Sequence, residues 1–294
     1  MKSLVLIIYN PVAKKASERK ISKASQFLES KGYKVDIFFT EQKGQAESLA
    51  KKAIKESPSV VIAAGGDGTF NEVVNGIAGT EIPMAILPMG TTNVLAKELG
   101  VPENIEGAME VAVSCTPKTV SVGKISISLN SSLISRYFLL MAGIGFDGEA
   151  VFRINETLKK LSGKGAYILS GFKTLSMLNP KELILDIDGK IYTGYSAIIS
   201  KAAKYGGNFK ITPDARLTDP VLYVCILKGK GRLDILRYAS GVIIGKHLRF
   251  KDVEYVKAKN IDLKGEAHIQ VDGDYFGRSP AKIEVVPDMV RMIF

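Results

Sequence analysis

The chain has 294 residues, 46% of them hydrophobic, enough for one large or two ordinary domains with packed cores. Its 40 Lys and Arg against 30 Asp and Glu give a formal charge of +10, which favours a polyanionic partner: an anionic membrane face or a phosphorylated ligand. Aromatics at 8% and the lack of an arginine-rich tract weigh against nucleic acid, and Cys115 and Cys225 form no C-x-x-C pair or disulfide framework, which fits a reducing cytosol.

The start, Met1-Lys2-Ser3 and then Leu4 to Ile8, is too short in its apolar part for a signal peptide. No stretch approaches the roughly 20 apolar residues of a spanning helix. The expectation is a cytoplasmic protein that is soluble or attached to a membrane surface.

Leu4 to Tyr9 reads as a first buried strand, and Ile21, Ala24 and Leu28 mark one face of a helix that Gly32 can end. Val35 to Phe39 is a second strand, followed by Thr40 and a helix opening at Gly44-Gln45-Ala46. A third strand, Val60-Val61-Ile62, feeds Gly65-Gly66-Asp67-Gly68-Thr69-Phe70-Asn71-Glu72, after which Val73, Val74 and Ile77 recur at helical spacing. Three glycines in four residues leave the backbone bare where a strand ends and a helix begins, which suits phosphate. Asp67 is unfavourable beside phosphate unless a cation intervenes, which points to Mg²⁺. The same loop also fits a plain glycine turn capped by Asp67.

Met84 to Leu87 is a fourth strand, ending in a second glycine turn, Pro88-Met89-Gly90-Thr91. A helix through Val94, Leu95 and Leu99 follows, then another from Ile105 to Val113. Alternating strands and helices imply a parallel sheet, whose ligands bind at the carboxyl ends of the strands. Asn10, Thr40 and both glycine turns lie at such ends.

Near Thr119 the pattern changes to alternation, in Val120, Val122, Ile125 and Ile127 and again in Leu183, Leu185 and Ile187, with Asp188-Gly189 as a hairpin turn. Single strands are expected at 191–199, 221–227, 253–263, 268–271 and 283–286. The expected domains are 1–119 with the returning segment 287–294, and a mostly antiparallel domain at 120–286. Helical insertions are expected around Ile154 to Leu175, with Arg153, Lys159, Lys160, Lys164 and Lys173 suited to interfacial docking or to a solvated face, and at Leu233 to Gly245. His247 and His268 lack metal-ligand companions and read as structural.

Asn10-Pro11, Thr40, the Gly65–Gly76 motif and Pro88-Met89-Gly90-Thr91 together resemble the bacterial diacylglycerol kinase (soluble lipid kinase) family. The likeness continues through Pro213-Asp214-Ala215 and Val271-Asp272-Gly273-Asp274-Tyr275. It implies a phosphofructokinase- and NAD-kinase-like α/β nucleotide-binding domain followed by a β-sandwich. It also implies transfer of the ATP γ-phosphoryl to a lipid hydroxyl at the inner membrane face. By the same resemblance, Asn10, Thr40, Gly65, Gly66, Asp67, Gly68, Thr69, Asn71 and Thr91 bind nucleotide, Asp67 anchors Mg²⁺, and Asp274 stands where the family has a general-base Glu. A structural Mg²⁺ is implied at Asp219 with the backbone carbonyls of Arg216 and Val221, although Thr218-Asp219-Pro220 replaces the family's Asp-Asp-Gly. Val94 and Ser121 stand where members often carry Asp. A homodimer through an edge strand is compatible with this reading. The rival readings are a soluble NAD-kinase-like enzyme and a nucleotide- or lipid-binding protein with little catalysis.

Overall fold

The computed structural model describes residues 3–129, 132–158 and 180–294. The expected docking residues Lys159, Lys160, Lys164 and Lys173, and Leu161 to Leu175, lie outside the described residues. The chain forms two compact units: 1–122 with 206–208 and 287–294, and 123–205 with 209–286.

The first unit is a parallel sheet flanked by helices. Strands β1 (Leu4–Tyr9), β2 (Lys34–Phe39), β3 (Val60–Gly65) and β4 (Met84–Pro88) lie in the order β2-β1-β3-β4. β1, β3 and β4 are buried almost throughout, because helices cover both faces of such a sheet. Helix α1 (Glu18–Ser30) buries Ile21, Ala24 and Leu28, the stripe read from the sequence, and Ser17 caps it by accepting from Lys20 N. Helix α2 (Gln45–Lys55) packs against α3 (Asp67–Ile77) so closely that a Cβ on Gly76 would sit 2.4 Å from Ala50 Cβ. Helices α4 (Val94–Leu99) and α5 (Ile105–Ser114) follow, α4 ending on Gly100 at φ +72°.

The second unit is a sandwich of two antiparallel sheets. One contains β5 (Pro117–Leu129) paired with β6 (Ser132–Phe138), and β8 (Leu183–Ile187), β9 (Lys190–Gly194) and β15 (Asn260–Lys264), with β15 pairing residues 281–284 of β18 (Ala281–Ile293). The other runs β14 (Val253–Ala258), β13 (Leu222–Leu227), β10 (Ser196–Ser200), β7 (Met141–Ile144), β16 (His268–Val271), β17 (Asp274–Arg278). A two-residue ladder, β11 (Lys204–Tyr205) with β12 (Phe209–Lys210), and helices α6 (Phe146–Leu158) and α7 (Arg232–Ile243) complete the unit. Ile125, Leu185, Ile261 and Ile283 from one sheet meet Ile144, Ile199, Val224 and Ile269 from the other in a single core.

The single strands expected at 191–199 and 253–263 are each two. The chain turns at Tyr195 and at Lys259, so β9 and β15 join one sheet while β10 and β14 join the other. Hydrophobic alternation continues through such a corner, because both halves face the same core. The Asp188-Gly189 turn is a hairpin as expected, with positive φ at both residues (+50° and +87°). At its far end, β18 returns to the first unit, where Met292 pairs with Met84 in parallel.

Candidate active site

In the first unit the two glycine turns lie against each other. Gly65 pairs with Pro88, and Met89 N donates to Gly65 O at 2.7 Å. A Cβ on Gly90 would stand 2.7 Å from Gly66 Cα, and one on Gly65 would stand 2.5 Å from Thr69 Oγ1. Only glycine permits this approach, so the two loops form one bare-backbone surface at the strand ends. Helix α3 starts there, and the first N–H groups of a helix have no partner within it. Asn10 Nδ2 donates to Thr69 Oγ1 at 3.1 Å, which ties the end of β1 to the loop. Thr40 is buried beside Tyr9, whose carbonyl accepts from Thr40 N at 2.9 Å, and Thr91 is exposed next to Gly90. Asn71 lies one turn into α3, buried, its Oδ1 accepting from Asn75 Nδ2 at 3.2 Å.

Asp67 has a structural role that no spacing revealed. Its Oδ2 accepts from Val94 N and its Oδ1 from Leu95 N, both at 3.0 Å, so it caps α4 across the loop pair. Asn93, the residue before α4, instead turns its Oδ1 to Gly90 N at 2.9 Å. One bond to each Asp67 oxygen leaves acceptor capacity for a cation or its water. Among the described residues no three His, Cys, Asp or Glu side chains form a metal cluster. Asp67 with nucleotide phosphates nevertheless suits Mg²⁺, which commonly takes one or two carboxylates together with phosphate oxygens. Val94 and Ser121 are both buried, and Ser121 Oγ finds no partner among the described residues. Glu72 also caps at a distance, taking Gly44 N at 2.9 Å and Ala46 N at 3.1 Å at the start of α2.

In the second unit, Asp272 and Gly273 form a tight hairpin turn, with φ +47° and +90°, between β16 and β17. The Asp272 carboxylate accepts from Leu139 N, Leu140 N and Met141 N at 3.0, 2.9 and 2.8 Å. Three backbone donors hold this turn rigidly and, one residue on, fix half-buried Asp274 as the first residue of β17. Gly273 N also donates to Gln270 Oε1 at 2.7 Å, and Gln270 Nε2 donates to Asp147 Oδ2 at 2.6 Å. Asp147 Oδ1 accepts from the Tyr205 hydroxyl.

Asp147 and Tyr205 also line an apolar cavity of about 230 Å³, walled by Phe146, Ile198, Ile211, Leu227, Tyr238 and Val242. β10 builds it by its period of two: Ala197 and Ile199 enter the sandwich core while Ser196 and Ile198 face the cavity. Burial raises the Asp147 carboxyl above its ordinary value, opposed by the Tyr205 and Gln270 hydrogen bonds. The Asp147 charge, more than burial, pushes the Tyr205 phenol well up.

The carbonyls that the resemblance assigns to a structural metal have a different neighbour. Lys201 Nζ donates to the carbonyls of Asp219 and of Val221 (3.0 Å) and lies 3.5 Å from that of Arg216. The Asp219 carboxylate accepts from the Tyr223 hydroxyl at 2.7 Å. His247 bonds Ile211 O at 2.8 Å from a buried position, and His268 stacks on Phe152.

The chain thus joins a parallel α/β unit with two bare-backbone glycine loops to a sandwich that carries a pinned acidic hairpin and an apolar cavity, and its similarities to known proteins make it a kinase. Residues 4–125 match the diacylglycerol kinase catalytic domain, and residues 141–294 match the YegS C-terminal NAD kinase beta sandwich-like domain. Diacylglycerol kinases of Staphylococcus aureus strains JH9 and Newman are 32% identical over 290 residues, 96% of this chain and 89% of theirs. A crystal structure of a Bacillus anthracis str. Sterne protein proposed to be a diacylglycerol kinase has a TM-score of 0.78 and 26% identity, covering 100% of this chain and 97% of that one. The chain belongs to the diacylglycerol kinase family.

Proposed function

We propose that this kinase transfers the γ-phosphoryl of ATP to the hydroxyl of a lipid alcohol, diacylglycerol or one similar, at the inner face of an anionic membrane. The apolar cavity tied to the Asp274 hairpin through Asp147 and Gln270 carries this reading. A dinucleotide, with a charged pyrophosphate and two polar riboses between its rings, would leave most of this lining unmatched, whereas an acyl chain suits it along its whole length.

In this reading the first unit binds the nucleotide. Backbone N–H groups of the glycine loops take the phosphates, and Asn10, Thr40, Thr69, Asn71 and Thr91 orient them by neutral hydrogen bonds. Mg²⁺, held by Asp67 with the phosphates, would neutralise charge on the transferring group. The second unit binds the acceptor, with acyl carbon in the cavity and the hydroxyl placed for Asp274 to take its proton. Asp274 is one methylene shorter than the Glu that the family resemblance implies, and the turn pinned at Asp272 fixes the backbone from which it must reach the hydroxyl.

Helix α7 supports membrane contact. It turns Tyr238 and Val242 into the cavity and leaves Leu233 (81% exposed) and Leu236 (53%) in water, with Lys230, Arg232 and Lys246 nearby in sequence. Apolar side chains flanked by cations suit an anionic interface. Among the described residues no helix is long and apolar enough to cross a membrane.

The test is transfer from γ-labelled ATP with Mg²⁺ to vesicles containing diacylglycerol, phosphatidylglycerol, sphingosine or ceramide, with Asp274→Ala alongside. Labelled lipid that disappears in the variant supports the reading. ATP turnover indifferent to every lipid, or label passed instead to added NAD⁺ to give NADP⁺, overturns it.

A further inference from the structure

We propose that the ammonium of Lys201 is a built-in cation that replaces a divalent metal in the loop from Arg216 to Val221. This goes beyond the catalytic reading and stands or falls separately from it.

Lys201 follows directly after β10, and its side chain is wholly buried, with no exposed surface. Its backbone N–H donates to Leu140 O at 2.8 Å, which fixes where the side chain begins. Its Nζ reaches three backbone carbonyls, those of Arg216, Asp219 and Val221, all within six residues of chain. An ammonium has three donors and no acceptor, so three carbonyls match it in number and polarity. Such oxygens are also the donors that hard cations choose.

The Asp219 carboxylate, which would be a metal's anionic ligand, serves the lysine's charge instead, favouring the Lys201 ammonium. Asp219 gives its carboxylate to the Tyr223 hydroxyl and its carbonyl to Lys201. A divalent ion in the cradle would have to displace a covalently attached cation whose side chain has no exposed surface. A buried charge is costly unless paired: burial pulls the Lys201 ammonium down to about 8, while the Asp219 charge opposes that shift and the carbonyls take its three donors. The fold thus obtains from one lysine the closure that a related loop would obtain from an ion. It also loses any dependence of this loop on metal supply.

The test is local hydrogen exchange at residues 216–221, with thermal unfolding, on the full chain without nucleotide. Wild type should show the same protection in chelator and in millimolar Mg²⁺, Mn²⁺ or Ca²⁺. Lys201→Ala empties the cradle. Its protection should fall in chelator and recover, saturably, with a divalent ion or propylammonium. Lys201→Met keeps the bulk but not the charge, and should lose protection that no cation restores. Wild-type protection that falls in chelator and returns with metal overturns the proposal, and this arm stands even if a variant fails to fold. Unchanged protection in Lys201→Met, or a loss in Lys201→Ala that no cation repairs, overturns it as well.

Discussion

Asp147 Oδ2 accepts a 2.6 Å hydrogen bond from Gln270 Nε2, across 123 residues of sequence. This bond joins the wall of the apolar cavity to the turn that carries Asp274. It also makes Asp147 a titrating group in a dry place, its carboxyl raised above the ordinary 3.8 by burial. The folded protein therefore holds this proton more tightly than the unfolded chain does. Stability from Asp147 is fully present below 3.8 and is lost as pH rises through the raised folded value. Asp147→Asn cannot ionise, yet it can still accept from Gln270 and donate to the Tyr205 oxygen. Urea midpoints at pH 4 and pH 7 should show wild type losing ground to this variant at the higher pH. Parallel curves would mean that folding does not raise the Asp147 carboxyl above its unfolded value.

Gly143 makes room for this bond. A Cβ there would stand 1.7 Å from Asp147 Oδ2 and 2.6 Å from Gln270 Nε2. Gly143→Ala should lower stability by about 1–3 kcal/mol through overpacking and should reduce kcat by loosening the Asp274 turn. ATP affinity should be unaltered, since the residues proposed to bind nucleotide belong to the other unit. Titration calorimetry with a non-hydrolysable nucleotide, beside kinetics, separates the two effects.

Asp67→Ala conflates two losses. It removes the proposed metal anchor and also both cap bonds at the start of α4. Asp67→Asn keeps one acceptor oxygen, and should lose about 1 kcal/mol of stability while phosphoryl transfer falls far more. If transfer in Asp67→Asn tracks the folded fraction alone, capping is the residue's whole contribution.

Val242 is half-buried at the cavity wall, and its replacement by Trp should fill part of the roughly 230 Å³ space. Transfer to long-chain acceptors should fall by on the order of tenfold or more, with short-chain acceptors much less affected. Leu233→Glu, on the exposed side of the same helix, should instead weaken vesicle flotation and spare turnover of a short-chain, water-dispersed acceptor. Equal losses on both acceptors for both variants would argue against separate cavity and surface roles.

The strand–helix alternation of the first unit was legible because buried strands and amphipathic helices each impose a period on the side chains. Ile21, Ala24 and Leu28 are the buried stripe of α1 because a helix repeats every 3.6 residues. The glycine loops were legible because bare backbone needs glycine, and the Asp188-Gly189 turn because two successive positive φ angles demand such residues. The splits at Tyr195 and Lys259 were hidden, since one core receives both halves of each run and the alternation gives no sign of a corner.

Sequence by itself determined the strand–helix order of the first unit, the glycine loops and the family, since side-chain period and glycine placement follow from local geometry. Tertiary structure alone decided that Asp67 caps α4, that Glu72 caps α2, that Asp147 reaches Gln270, and that Lys201 fills a ring of carbonyls. The physical reason is common to the first, second and fourth. One partner is backbone N–H or C=O, which nearly every residue carries and no letter of the sequence marks. Only the folded path of the chain can say which of these groups meets which side chain.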